Sequence, residues 1–148
     1  MLSKTTEYAL RAIVYIAIQD ALGLKTGIKE VARELELPVH FIGKILQDLV
    51  RKGLIASVKG PGGGFFLHRS ASDISILEVV QSIDGLEAFR KCGMGMKMCS
   101  DLHPCPLHHE IKAYRNQLLK VFSSRTIQSL VDGINSGEYF ITNQQEEV

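Results

Sequence analysis

The segment 91–109, which reads KCGMGMKMCSDLHPCPLHH, constrains the fold of this chain more than any other stretch. It contains all three cysteines, three of the five histidines and three of the four methionines. Glycine and proline are poor helix and strand formers, and their density here predicts an irregular loop. We therefore expect folded parts on either side of a loop that is rich in soft metal ligands.

The ligand-type residues of this loop follow the spacing Cys92-x6-Cys99-x5-Cys105-x2-His108. Thiolates and imidazoles are the natural ligands of zinc and of iron–sulfur clusters, and a glycine-rich backbone can wrap around one centre with little strain. The residues alone leave four interpretations open: an iron–sulfur cluster, a structural zinc, a metal-free thiol switch, or copper(I) bound with help from the neighbouring methionines.

The chain has 148 residues, of which 45% are hydrophobic and 22% charged, as is ordinary for a globular protein. This length allows one compact domain with an extension. No run approaches 18 apolar residues, and the first residues lack the apolar core and cleavage site of a signal peptide. We expect a cytoplasmic protein with no membrane partner, in which clustered cysteines favour a metal or redox role over disulfides.

Charge is divided unevenly along the chain. Residues 1–69 contain ten Lys or Arg against six Asp or Glu, a net charge of +4. Residues 70–148 contain seven against ten, a net charge of −3, so that the whole chain carries +1. A basic N-terminal half beside an acidic C-terminal half is typical of a DNA-binding head on a part that does not bind DNA.

The N-terminal half shows a pattern of three helices. Residues 5–20 form a helix with one broad apolar face, and a short helix follows over 28–35. Pro38 opens the next helix, which runs from 38 to 52 and ends at Gly53. The positions expected to be buried on this helix are Phe41, Ile42, Ile45, Leu46 and Leu49. Two short helices joined by a tight turn and followed by a strand pair are typical of a helix-turn-helix.

The strand pair is predicted over 54–58 and 65–68. The residues between them, 59–64, contain four glycines, which could suggest a phosphate-binding nucleotide loop. That motif needs a Gly-Lys-Ser or Gly-Lys-Thr ending and a following helix, and both are missing from the pattern here. We interpret the segment as the tip of a β-hairpin whose small residues let the backbone approach DNA closely. The head is therefore predicted to be a winged helix.

In the helix predicted over 38–52, the outward positions near its start are expected to enter the major groove of DNA. Lys44 is the best candidate for a guanine contact, and His40 for a contact with a base or a phosphate. Gly43 lies between them, and Gln47 lies one turn further along. The residues expected to approach or neutralise phosphates are Arg51, Lys52, Lys59, Gly60, Gly62, Gly63 and Arg69. Each basic side chain taken alone is equally well explained as a solvated surface charge.

The C-terminal half begins with a capping-box pattern at Ser75 and Glu78, which predicts a helix to about residue 83. Beyond the cysteine loop, residues 106–122 carry apolar side chains at alternating three- and four-residue steps, and 126–134 form a last short helix. A long amphipathic helix with little chain left to cover it favours a homodimer. Two heads one helical turn apart then read a palindromic operator in double-stranded DNA.

The predicted fold class is mainly α with a small β-wing, an α+β arrangement of a winged helix-turn-helix head and a long dimerisation helix. The predicted parts are a DNA-binding domain over 1–85, a ligand loop over 86–109, the dimerisation and terminal helices over 110–136, and a flexible tail over 137–148.

Four features together resemble the Rrf2 family of bacterial transcription regulators: the segment EYALRAIVYIA, the wing GPGGGFFL, the three-cysteine loop and the helix after it. The resemblance extends to about residue 136. It implies a winged-helix homodimer in which the three cysteines hold an iron–sulfur cluster whose state controls promoter binding. The gap between the first two cysteines is one residue longer than is usual in the family.

By position, the resemblance assigns Cys92, Cys99 and Cys105 as cluster ligands. His108 matches the fourth ligand of members that regulate cluster biogenesis. Glu7 matches a carboxylate that the partner subunit supplies in nitric-oxide-sensitive members, and its place in the first turn of a helix is also favourable for the helix dipole. The choice between His108 and Glu7 as the fourth ligand stays open, as does the choice between a 2Fe–2S and a 4Fe–4S cluster.

We therefore expect a DNA-binding regulator, most simply a repressor, whose cluster senses iron–sulfur status, redox state or nitric oxide. No Ser/His/Asp arrangement, carboxylate pair or nucleotide fingerprint is present, so we do not expect an enzyme. One alternative keeps DNA binding with a structural zinc or a thiol switch in the loop. The other is a winged-helix module that binds a protein partner and never DNA.

Overall fold

The computed structural model of the protein describes residues 1–142, which form a mainly helical fold with a two-stranded antiparallel sheet. This arrangement is the fold class predicted from the sequence. None of the helices in this part of the chain is both long and apolar enough to cross a membrane. The elements in chain order are α1 (Lys4–Ala21), α2 (Ile28–Leu35), α3 (Val39–Arg51), β1 (Ile55–Val58), β2 (Gly64–Leu67), α4 (Ile76–Asp84), α5 (His108–Ser124) and α6 (Ile127–Asn135).

Helix α1 is the centre of the hydrophobic core. The side-chain hydroxyl of Ser3 accepts a hydrogen bond from the backbone N–H of Thr6 and so caps the first turn. Ala9 and Ala12 are small enough to let neighbouring helices approach, and Ile13 and Ile16 fill the space between them. Burying each isoleucine contributes about 1.5–3 kcal/mol. Helix α1 contacts α2, α3, β2, α4 and α6, so elements from both ends of the chain depend on it.

Helices α2 and α3 form the predicted helix-turn-helix. Glu36 ends α2 in the left-handed conformation (φ 55°), and Pro38 precedes the first turn of α3. Gly53 (φ +75°) ends α3, and its N–H donates to the carbonyl of Val50. One predicted core position is wrong, because Phe41 is 49% exposed. It lies one position before buried Ile42 and faces a surface cavity of about 480 Å³ between α1 and α3.

The wing forms as predicted, with each strand shifted by one residue at one or both ends. Strands β1 and β2 pair from Ile55 with Leu67 to Val58 with Gly64. The backbone of Phe65 also exchanges hydrogen bonds with Thr26, before α2, which fixes the wing to the helix-turn-helix. Gly64 (φ +140°) makes this approach possible, since a Cβ there would lie 2.9 Å from the Thr26 nitrogen.

Helix α4 begins with half of the predicted capping box. The Ser75 hydroxyl accepts from the Glu78 N–H, but the Glu78 carboxylate pairs with Arg69 instead of returning to Ser75. The backbone of Ser75 is bridged to Thr126, which caps α6. Helix α6 then buries Ile127 and Val131 against α1 and the turn before α4. The terminal helix therefore belongs to the core of the head, and the predicted grouping of α6 with α5 over 110–136 does not follow the packing.

Helix α5 lies outside this core and begins two residues later than predicted. It contacts α4 and the turn 87–89, where the rings of Phe89 and Phe122 meet edge to face at 6.1 Å. On its outer side Tyr114 and Val121 are exposed. Leu118 lies beside them, and the three line a shallow groove of about 300 Å³.

Part of the predicted flexible tail is held against the fold. The guanidinium of Arg11 donates to the carbonyl of Ile141 at 2.8 Å, and the ring of Tyr139 covers Gly133, where a Cβ would lie 2.4 Å from the ring. Residues 137–142 therefore turn back along α1 and α6. The rest of the predicted tail, 143–148, lies outside the described residues.

We expect Gly64→Ala to lower the free energy of unfolding by about 1–3 kcal/mol, because any other residue is strained at this backbone conformation. Urea unfolding followed by circular dichroism measures the change. The control is Gly43→Ala within α3, where the nearest atom to a new Cβ is 3.9 Å away and stability should rise by about 0.5–1 kcal/mol. Equal stabilities for the two variants would contradict the role given to Gly64.

Candidate metal centre and nucleic-acid interface

The cysteine loop is irregular, as predicted, and lies against the start of α5. A turn in which the Gly95 N–H donates to the carbonyl of Cys92 opens it, and a second turn from Cys105 to His108 leads into the helix. Gly93 packs directly on Ile111 of α5, since a Cβ at Gly93 would lie 2.8 Å from the Ile111 side chain. Glycine at this position therefore lets the first cysteine lie close to the helix.

The Cys92 thiol is buried in a pocket of backbone N–H groups. Hydrogen bonds from the backbone of Met94 and Met96 lower the pKa of Cys92, and the thiol of Cys105 adds to this, while burial acts in the opposite direction. The Met94 N–H lies 3.4 Å from the sulfur. Donors of this kind stabilise a thiolate, which is the form that binds metals.

Cys99 is paired with His108 rather than with Cys92. Its sulfur lies 3.3 Å from Nδ1 of His108 and 3.1 Å from a guanidinium nitrogen of Arg115, a buried residue of α5. The other ring nitrogen of His108, Nε2, lies 2.7 Å from Asp101. A carboxylate that accepts from Nε2 leaves Nδ1 with a free lone pair facing the Cys99 sulfur.

Asp101 is itself held in its ionised form. The ammonium of Lys112 lies 2.8 Å from both carboxylate oxygens, and His108 contacts one of them. Hydrogen bonds from Lys112 and His108 lower the pKa of Asp101 to about 2. The orientation of His108 is therefore fixed by a charged pair between the loop and α5.

The four candidate ligands of the loop thus fall into two pairs: Cys99 lies 3.3 Å from Nδ1 of His108, and the Cys105 thiol is near enough to Cys92 to help lower its pKa. Within residues 1–142, no group of three or more His, Cys, Asp or Glu side chains is close enough to hold a metal ion together. The chemistry of the donor set nevertheless fits an iron–sulfur cluster or a zinc ion: three thiols, one oriented imidazole and backbone donors to sulfur.

Glu7 and the methionines are placed apart from these pairs. Glu7 is exposed at the start of α1, where its carboxylate lies 3.3 Å from the ammonium of Lys4. Met94, Met96 and Met98 are 51–74% exposed. A single chain therefore does not bring Glu7 to the cysteines through any hydrogen bond or ion pair found in residues 1–142.

The outward face of α3 carries the predicted DNA-contacting side chains together. An open groove of about 600 Å³ runs along it and is lined by Ile28, His40, Gly43, Lys44, Gln47, Asp48 and Arg51. Sequence reasoning missed Asp48, which forms an ion pair with Arg51 and so restrains it. Lys44 is exposed, and no ion pair holds it within the described part of the chain.

The wing glycines divide into two kinds. Gly60 (φ +91°) and Gly62 (φ +73°) are exposed at the tip beside Lys59, with open space around them. Gly63 is half-buried, and a Cβ there would lie 2.2 Å from the carbonyl oxygen of Val58. Gly63 therefore serves to close the hairpin, whereas Gly60 and Gly62 present backbone to solvent.

Two further basic residues of the head, Arg69 and Lys25, make contacts that the sequence pattern did not predict. Arg69 is exposed but pairs with Glu78 and donates to the carbonyl of Asp73 at 2.7 Å, so its guanidinium is already held by two neighbours. Lys25, which the pattern did not single out, lies 5.7 Å from the centre of the Phe66 ring at the base of the wing. The sequence pattern did not predict this contact, because Lys25 and Phe66 meet only when the hairpin packs beside the start of α2.

A helix-turn-helix with a glycine-tipped hairpin and exposed cations along its second helix defines a winged-helix DNA-binding protein. The chain matches the profile of the Rrf2 family, described as iron-dependent transcriptional regulators, over residues 2–133. It belongs to that family and is a transcriptional regulator.

Several relatives that match most of the chain carry regulator names. A putative transcriptional regulator of Aquifex aeolicus is 30% identical over 132 residues, which cover 88% of this chain and 90% of that protein. The regulator NsrR of Oceanobacillus iheyensis is 28% identical, with 88% of each chain covered. The regulator IscR of Aliivibrio salmonicida is 27% identical over 99% of this chain and 81% of its own. These names agree with the expectation that the protein is not an enzyme.

Solved structures share the fold at low sequence identity. IscR of T. potens superposes with a TM-score of 0.75 at 17% identity and covers 95% of this chain and 92% of its own. CymR, the global cysteine regulator of B. subtilis, superposes with a TM-score of 0.73 at 20% identity and covers 89% of this chain and 96% of its own.

Proposed function

We propose that this regulator binds a palindromic operator as a homodimer and that an iron–sulfur cluster in the 86–109 loop controls its affinity. Cys92, Cys99, Cys105 and His108 are the proposed ligands. The observation that carries the proposal is the Asp101–His108–Cys99 arrangement, in which a carboxylate orients an imidazole towards a thiol. Carboxylate–histidine pairs of this kind support metal ligands, because they fix the tautomer and direct the free lone pair.

The position of the loop explains how a cluster would affect DNA binding. One end follows α4 of the head, and the other end continues into α5, whose first turn supplies His108. The two ligand pairs must come together to share one centre, which moves the segment 92–99 relative to α5. A change in α5 alters the spacing of two heads if α5 is the dimer contact. When bound, the cluster supplies a redox- and oxygen-sensitive centre.

The first test is an absorption spectrum of protein purified without oxygen, with iron, sulfide and zinc assayed together. We expect broad iron–sulfur absorbance with equal iron and sulfide. Stoichiometric zinc without iron would replace the cluster with a structural zinc, and no metal after attempted reconstitution would exclude both.

Substitutions at the fourth ligand separate the two candidates. We expect His108→Ala to speed cluster loss in air by about 10–100-fold, since the imidazole that Asp101 orients is removed. His109→Ala is the matched control, because this neighbouring exposed histidine should leave cluster loss unchanged. Retention of the cluster in His108→Ala with loss in Glu7→Gln would instead make the partner subunit's carboxylate the fourth ligand.

The homodimer is proposed to form through the outer face of α5. Tyr114 and Val121 are exposed there beside Leu118, on a helix whose opposite side already contacts the head. Exposed apolar side chains at helical spacing are typical of a helix that packs on a second helix.

We expect Val121→Glu to shift the protein from dimer to monomer in sedimentation velocity runs, because an unpaired charge buried in the interface costs several kcal/mol. Val121 is exposed in the single chain, so the fold should be unaffected. Asn116→Glu, on the other exposed flank of α5, should remain dimeric. A dimeric Val121→Glu protein would exclude this face as the interface.

The proposed DNA contacts predict two measurable behaviours. A dimer that makes roughly 6–10 phosphate contacts should lose about 10³–10⁵ in affinity between 50 and 200 mM salt. Lys44→Ala should reduce discrimination between operator and unrelated DNA by about 1–3 kcal/mol, because a base contact is removed. Lys120→Ala on α5 is the control and should have no effect. Equal weakening on all sequences would restrict Lys44 to phosphate contact.

A second candidate function is a thiol switch without metal. It is favoured by the position of Cys99, whose sulfur lies beside both His108 and Arg115. A related fold, CymR of Staphylococcus aureus, is known in an oxidized form. Metal-free protein whose operator affinity is unchanged by peroxide would exclude this candidate.

A further inference from the structure

Arg115 is a buried cation in the middle of α5. Only 8% of its surface is exposed, although arginine is almost never buried without a partner. Burying a charge costs several kcal/mol unless an opposite charge or hydrogen bonds compensate. The contacts of this one side chain therefore indicate what the surrounding loop holds.

The guanidinium of Arg115 joins the two halves of the cysteine loop. One terminal nitrogen donates to the carbonyl of Lys91, the residue before Cys92, and the other lies 3.1 Å from the Cys99 sulfur. Its Nε is buried and has no hydrogen-bond partner among the described residues. Neither acceptor is a carboxylate, so the compensating negative charge is not supplied by any of the ion pairs found in residues 1–142.

A metal-bound sulfur is a thiolate, and an iron–sulfur cluster with three thiolate ligands is anionic. A guanidinium with a donor aimed at Cys99 and an unused donor at Nε is complementary to that charge. Arg115 follows His108 by seven residues, two helical turns, so both lie on the same face of α5. These are also the two buried side chains of that helix in the described structure.

We propose that Arg115 is a positioning residue of the ligand loop, which directs the Cys99 sulfur towards the shared centre and ties its state to α5. This inference rests on the proposed cluster. Arg115 contacts the ligand from the dimer helix, so a change at Cys99 reaches α5 through one hydrogen bond. Through its hydrogen bond to the carbonyl of Lys91, Arg115 also holds the Cys92 half of the loop next to α5.

The test uses the whole 148-residue chain loaded anaerobically, with the variants Arg115→Met and Arg115→Lys. Methionine keeps the apolar stem but removes the charge and the donors. Replacing a buried ionic group with an apolar one often leaves folding intact. Lysine keeps the charge but loses the two-pronged geometry. Lys120→Met, an exposed position on the same helix, is the matched control.

We expect Arg115→Met to shift the cluster reduction potential to a more negative value, because a donor and a positive charge near a ligand sulfur favour the reduced form. Cluster loss in air should speed up by about 10–100-fold. Arg115→Lys should fall between Arg115→Met and wild type, and Lys120→Met should match wild type. The potential is the decisive readout, since a purely structural role for Arg115 would leave it unchanged.

The outcomes separate this inference from the proposed function. A wild-type protein with a cluster, and an Arg115→Met variant with the same potential and the same rate of cluster loss, would overturn the role of Arg115 alone. A wild-type protein that holds no cluster after anaerobic reconstitution would overturn the proposed function and this inference with it.

Discussion

Burial of α1 is the interaction on which the rest of the structure depends. Its apolar face contacts the helix-turn-helix, the wing strand β2, α4 and α6. The first helix therefore joins the reader of DNA to the end of the chain in a single core. Helix α5 is the exception, because its main contacts with other helices and turns are with α4 and the turn 87–89. The part proposed to dimerise is thus the part least fixed by the core.

The inner side of α5 presents polar side chains to the loop beside the apolar contact of Ile111 with Gly93. Its two buried side chains are His108 and Arg115, and both contact Cys99. Lys112 between them holds Asp101 of the loop. These contacts are hydrogen bonds to ligand-type residues, so we propose that the position of α5 depends on the chemical state of the loop. A sensor requires this kind of dependence, and apolar packing alone would not provide it.

Much of this fold could be predicted from the sequence, because hydrophobic periodicity and turn residues act locally. The helices, the wing and the cap at Gly53 follow from such patterns. Phe41 was misplaced because a one-residue step on a helix surface separates the core from solvent, and periodicity is too coarse to resolve it. Two other features could not be predicted from local patterns. The packing of α6 on α1 joins residues distant in sequence, and the pairing of Arg69 with Glu78 is decided by competition between possible partners.

The candidate site was predictable in composition but not in arrangement. Cysteine and histidine spacing predicted the candidate ligands, yet their division into two pairs follows from how Gly93 and Cys105 meet α5. Asp101 and Arg115 carried no pattern of their own, since isolated charged residues are usually solvated. Their roles become visible only through distances to His108 and Cys99.

We propose above that the state of the loop controls DNA affinity. The most direct measurement compares cluster-loaded and metal-free protein on its own promoter at one salt concentration, by anaerobic fluorescence anisotropy. Control by the loop should change Kd by at least about tenfold, which corresponds to about 1.4 kcal/mol of coupling. Equal affinity and equal choice of sites for the two forms would contradict it.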